Sequence, residues 1–226
     1  MRPLRGKRKV KVWSESPPDR RKSDFLSIAQ QTGLHLVQLE AAEAHPHRLR
    51  RSRRAGQMYR SFRGWADARM GEPLGSYRRI REAYDQNIRL GMHAGESETL
   101  GYAAEALVLA GDWVAAQHQL DQALQIANAH GERVYLPQLF LIEAAIAHAR
   151  GQSATAEASA RRAVAEAKAT EAPWLELIAL LELCECNGGN AEDRQALAAL
   201  VKQLPEASDT IAVTRARALL GDTSAA

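Results

Sequence analysis

Aromatic residues supply only 5% of the 226-residue chain, β-branched residues are sparse, and Cys184 and Cys186 are the only two cysteines. The first two shortages count against a core built from sheets, which favour branched and aromatic side chains, and alanine and leucine take their place as good helix formers. The third rules out a disulfide framework. Two residues apart on a helix, Cys184 and Cys186 point to different sides of it, and free thiols suit a reducing compartment. No run of about 18 apolar residues is present, which removes a membrane-spanning helix. The basic start is not followed by the apolar stretch of a secretory signal, so a cytoplasmic location is expected.

Chemical motifs are lacking as well. There is no G-x-x-x-x-G-K-[ST] loop to cradle ATP phosphates, and no Ser/His/Asp or Cys/His set can be assigned. His45 and His47 with Cys184 and Cys186 form only an H-x-H and a C-x-C, with no second pair at a zinc spacing. The expectation is a protein that is not an enzyme and holds neither metal nor cofactor.

What the chain does have is an uneven charge. Residues 1–54 carry 14 Lys/Arg against 5 Asp/Glu, a balance of +9, while the remainder carries 16 against 22, a balance of −6. A basic arm, residues 1–55, therefore precedes a mildly acidic body, and any contact with nucleic acid falls to the arm. Arg8, Lys9, Lys11, Arg50, Arg51, Arg53 and Arg54 are its candidate phosphate contacts, and such contacts weaken steeply with salt.

The body repeats. Gly71-Glu72-Pro73, Gly111-Asp112-Trp113 and Gly151-Gln152-Ser153 recur with a period of about 40 residues. After each glycine, small or apolar residues fall at the same offsets: Ser76, Ala116 and Ala156; Ile80, Leu120 and Ala160; Ala83, Ala123 and Ala163. Spacings of four and three along one segment place them on a single helix stripe. Upstream, Phe62 and Ala66, Tyr102 and Ala106, and Ile142 and Ile146 mark a second helix before each glycine. Each unit is then helix A, a glycine turn and helix B, with small residues on B admitting close approach by A. One such hairpin leaves a face open to water, so copies must stack, and the fold class expected is all-α, a right-handed solenoid of antiparallel helix pairs.

Repeats are expected at about 56–95, 96–131, 132–171 and 172–205, with a capping helix at 208–220, Ser208 or Asp209 as its N-cap and Arg215 and Arg217 exposed. Residues 23–34 resemble the close of a helix B. The interval from Gly33 to Gly71 is nearly twice that from Gly131 to Gly151, so an additional stretch, roughly "AHPHRLRRSRRAGQMY", interrupts the spacing there as a lengthened helix A or an insertion.

"LGYAAEALVLAGDWVAAQHQLDQAL" resembles a tetratricopeptide repeat, with Ala104, Leu107, Gly111, Trp113, Ala116, Leu120 and Ala123 on the motif positions. The usual period of that family is about 34 residues, so the longer period here implies longer helices. Over residues 56–221 the chain is similar to the C-terminal repeat regions of large bacterial ATPase-linked regulators, among them LuxR-type and maltose-activator-like transcription factors and class III adenylate cyclase fusions. That likeness implies a sensor or partner-docking module beside a nucleotide-binding switch. Because the phosphate loop and a cyclase segment are missing, the chain reads as the repeat module alone, either a stand-alone adaptor or the product of a truncated gene.

Carrying over the family's concave-face positions points to the helix A surface before each glycine. The candidate partner contacts are Trp65, Arg69, Glu98, Glu105, Gln138 and His148. Trp65 suits an anchor in a groove and equally suits the core between repeats. No Lys/Asn pair that would clamp a C-terminal carboxylate lies along that surface; Arg63 and Arg69 are its nearest basic groups, and of their spacings to Asp67 only that of Arg63, four residues away, is favourable on a helix. The expected function is a protein–protein interaction scaffold or sensor module in a bacterial regulatory system. The alternative is a nucleic-acid-associated regulator that uses the arm.

Overall fold

The computed structural model describes residues 53–204 and 210–221, and over these the protein is all-helical. Among the described residues there are nine helices and no strand. They are α1 (Arg53–Arg69), α2 (Pro73–Arg89), α3 (Glu96–Ala110), α4 (Trp113–His130), α5 (Leu136–Ala149), α6 (Ser153–Ala169), α7 (Pro173–Asn187), α8 (Ala191–Gln203) and α9 (Ile211–Leu220). None is long and apolar enough to cross a membrane. The segment at 23–34 and the residues Arg8, Lys9, Lys11, Arg50 and Arg51 lie outside the described residues, whereas Arg53 and Arg54 open α1.

The turns explain why the helices are so alike in length. A residue with positive φ follows each of the first six: Gly71 (108°), Gly91 (67°), Gly111 (80°), Gly131 (67°), Gly151 (74°) and Glu171 (51°). Behind each, the next backbone N–H reaches a carbonyl five residues earlier: Glu72 to Asp67, Met92 to Asn87, Asp112 to Leu107, Glu132 to Ala127, Gln152 to Ala147 and Ala172 to Ala167. That left-handed stop satisfies carbonyls the helix end would orphan, and glycine adopts it without steric penalty. Gly71, Gly111 and Gly151 are the glycines that mark the repeat in the sequence. The intervening stops at Gly91, Gly131 and Glu171 halve their interval.

Helix starts are equally local. Pro73, Pro137 and Pro173 sit in first turns, where their missing N–H costs nothing. Asp112 and Asn190 accept from Ala115 N and Asp193 N at 3.0 and 2.8 Å. The start of α9 corrects the expectation, because Thr210 is its N-cap, accepting from Val213 N at 3.3 Å, rather than Ser208 or Asp209. Arg215 is not on open surface either. Its side chain is 31% exposed and pairs with Glu182 and Glu185 on α7.

Packing puts the two kinds of helix in separate roles. Each of α1, α3, α5 and α7 contacts the next odd-numbered helix as well as its own hairpin partner, while no pair of even-numbered helices makes comparable contact among the described residues. The odd helices thus form a continuous layer. They carry the bulky core, including Leu100, Leu139, Ile146, Leu177 and Leu180. The even helices answer with small residues: Ser76, Ala116, Ala156, Ala123, Ala160 and Ala163 are all fully buried. Where a larger side chain does appear, as at Leu120, its burial contributes about 1.5–3 kcal/mol. Gly101 extends the same logic to the odd layer, since a Cβ there would stand 2.8 Å from Leu139 Cδ2.

Candidate functional site

The repeat period places Trp65, Glu105 and Ala145 at one level of three successive odd helices, each six residues before its glycine stop, and in α7, which stops at Gly188, that level falls on Glu182. Between the first two the layer is knitted by polar side chains. Trp65 Nε1 donates to Glu105 Oε2 at 2.8 Å, and Gln138 Nε2 donates to the same oxygen at 3.2 Å. Arg69 forms a close ion pair with Glu105 Oε1 while its guanidinium carbon lies 4.6 Å above the Trp65 ring. One carboxylate on α3 therefore gathers donors from α1 and α5. Four of the six candidate contacts, Trp65, Arg69, Glu105 and Gln138, belong to this network.

Its setting is apolar. Trp65 stacks within 5.2 Å of both Phe62 and Tyr102, and only 5% of its surface is exposed. An aromatic that buried is a wall of the site rather than an anchor reaching outward, and its indole N–H fixes the Glu105 carboxylate. The Glu105 side chain is 11% exposed and that of Arg69 20%, so the pair is largely withdrawn from water and its hydrogen bonds are charge-assisted. Arg69 does not turn to Asp67, which instead meets Arg79 at 3.1 Å and Arg63 at 4.0 Å.

Glu98 makes a second cluster, which shares Tyr102 with the first. Tyr102 Oη donates to Glu98 Oε1 at 2.5 Å, and Tyr135 also donates to this carboxylate. Burial first, and then the Glu98 charge, push both phenols above their ordinary range, so both remain protonated donors. His148 lies exposed near the end of α5, apart from both clusters.

A third cluster was not foreseen. Arg215 on α9 reaches Glu182 at 3.4 Å and Glu185 at 3.0 Å, both on α7. Burial, followed by the neighbouring Glu185, raises the Glu182 pKa even though Arg215 and Arg69 pull it down. Glu182 keeps 35% of its side-chain surface, as a carboxylate does when protein crowds it on several sides without sealing it. The signal was the glycine stop itself, since Glu182 lies six residues before Gly188 as Glu105 lies six before Gly111. It was missed because Gly188-Gly189 ends α7 before the period would place a glycine.

Among the described residues these clusters are hydrogen bonds and ion pairs that tie one helix to another. Burial pushes the Cys184 and Cys186 thiols up, away from the thiolate that nucleophilic chemistry needs. Among the described residues no three His, Cys, Asp or Glu side chains converge as a metal site. A cavity beside Asn87, Glu98 and Tyr102 measures about 20 Å³, the scale of one water and far below a small-molecule pocket. No family model, curated protein or solved structure matches the chain.

Proposed function

We propose that the chain is a right-handed α-solenoid of the tetratricopeptide kind, acting as a non-enzymatic scaffold or sensor module that docks a protein partner on the layer of odd-numbered helices. That layer would be the concave face of the solenoid. One observation carries the reading: a buried carboxylate, Glu105 on α3, is held by donors from both neighbouring odd helices, Trp65 and Arg69 on α1 and Gln138 on α5. Networks of that kind rigidify a surface, and a rigid surface binds with less loss of entropy than a loose one.

The identity of the bound protein would be found by co-purification with the full chain, and the face is tested at the exposed His148 and at Gln138, whose loss also removes one donor to Glu105. Gln138→Ala and His148→Ala, separately and together, should weaken retention of the same partner about tenfold or more if they lie in the contact. Retention that survives both, yet disappears from a chain beginning at Ala55, would move the contact to the arm. The second reading, a nucleic-acid-associated regulator, draws on the +9 balance of residues 1–54. It predicts DNA or RNA retention that is lost in high salt and on removal of the arm.

A further inference from the structure

We propose that the junction of the first helix hairpin with α3 is a built binding site for one internal water molecule, held by Asn87, whereas the next junction along the array is closed by apolar packing.

Asn87 lies in the last turn of α2, and its backbone carbonyl accepts from Met92 N at 2.9 Å to form the left-handed stop. Ala127 and Ala167 hold the same place in α4 and α6, where their carbonyls accept from Glu132 N and Ala172 N. Both alanines are sealed from solvent, at 1% and 0% exposure. Asn87 brings a polar side chain into that slot. It is only 9% exposed, and its Oδ1 is buried without a hydrogen-bond partner among the described residues. An amide oxygen withdrawn from bulk water in this way is stabilised by a small donor beside it.

The surroundings of Asn87 supply both room and further polar groups. It borders a cavity of about 20 Å³ together with Ser61 on α1, Gly95 in the turn, and Glu98, Thr99 and Tyr102 on α3. A space of that size fits one water, which needs about two to four polar partners. Asn87 Oδ1, the Glu98 carboxylate and the Ser61 and Thr99 hydroxyls belong to residues on its boundary. A water donating one hydrogen to Asn87 Oδ1 keeps a second hydrogen and its lone pairs for the others, and so links α1, α2 and α3.

The repeat provides its own comparison. Forty residues further on, Asn87 is answered by Ala127, Gly95 by Tyr135 and Thr99 by Leu139. Ala127 and Leu139 pack with Leu100 and Ile142 in one apolar cluster. All three differences at the first junction favour a water. An acceptor replaces a methyl, a hydroxyl replaces a branched alkyl group, and Gly95 withholds a side chain whose Cβ alone would stand 3.5 Å from Glu98 Oε2.

A crystal structure of the full chain, paired with ¹⁷O relaxation dispersion to count long-lived internal waters in solution, tests the site without any partner. One water should lie about 2.7–3.2 Å from Asn87 Oδ1, with none beside Ala127. Asn87→Leu, which removes the acceptor and fills the space, should lower the solution count by one. If that variant fails to fold, the density of the unmodified protein decides. The inference is overturned by an amide turned to face the cavity with Nδ2, by an ion in place of the water, by an equal water beside Ala127, or by a count that Asn87→Leu leaves unchanged. These readouts concern the junction alone, so they succeed or fail independently of whether the odd-helix layer captures a protein.

Discussion

Glu171→Gly should stabilise the fold. Glu171 occupies the sixth of the left-handed helix stops and is the only non-glycine among the described residues with positive φ, at 51°. A side chain in that conformation costs roughly 1–2 kcal/mol through Cβ contact with the following carbonyl. Glycine removes that strain but gives back about 0.4–1 kcal/mol through the greater freedom of the unfolded chain. The net gain is about 0.5–1 kcal/mol, or about 1–4 °C in Tm for a fold of this size. The backbone bonds that close the turn, Glu171 N to Lys168 O at 3.1 Å and Ala172 N to Ala167 O at 2.9 Å, are independent of the side chain and survive the change. Differential scanning calorimetry and urea midpoints at constant m would measure it. Glu171→Ala is the decisive control, because it discards the carboxylate and keeps the Cβ. Gly111→Ala is the mirror image: nothing lies within 4 Å of the added Cβ, so only the conformational cost of about 1 kcal/mol should appear. Equal stabilisation by alanine and glycine at 171 would refute the backbone explanation and assign the effect to the lost charge at a helix C-terminus.

Other substitutions probe packing and charge. Gly101→Ala drives a methyl to 2.8 Å from Leu139 Cδ2 and should cost about 1–3 kcal/mol in urea unfolding. Glu105→Ala strips Trp65, Arg69 and Gln138 of a shared acceptor and should cost about 3–5 kcal/mol, with Glu105→Gln milder because its remaining carbonyl still accepts. For Glu182 the folded pKa is raised, so its protonated form is the one the fold favours. The resulting stabilisation is complete below the unfolded pKa of about 4.3 and is lost as pH rises through the folded value. The Tm of Glu182→Gln relative to the unmodified protein should therefore be most favourable near neutrality and decline toward acid; a gap that grows toward acid would contradict that sign.

Helices, stops and core stripe were legible because they depend on local pattern: Ala116, Leu120 and Ala123 announce a buried face whatever else surrounds them. The intervening stops were harder to read, since Glu171 replaces the residue type that marks the others. Trp65 left two readings open, core wall or anchor, and only tertiary placement shows its indole turned to a carboxylate on the next odd helix. Glu182 and Arg215 escaped for a related reason. Neither belongs to the repeat motif, and their pairing depends on how α9 lies against α7, which no spacing within one helix specifies.

Glu182 is acted on by Arg69 from the first described helix of the array and by Arg215 from the last. Of the two, Arg215 makes the direct contact, pairing with Glu182 and Glu185 together, so the last described helix is fastened to α7 by a two-carboxylate grip as well as by its apolar face.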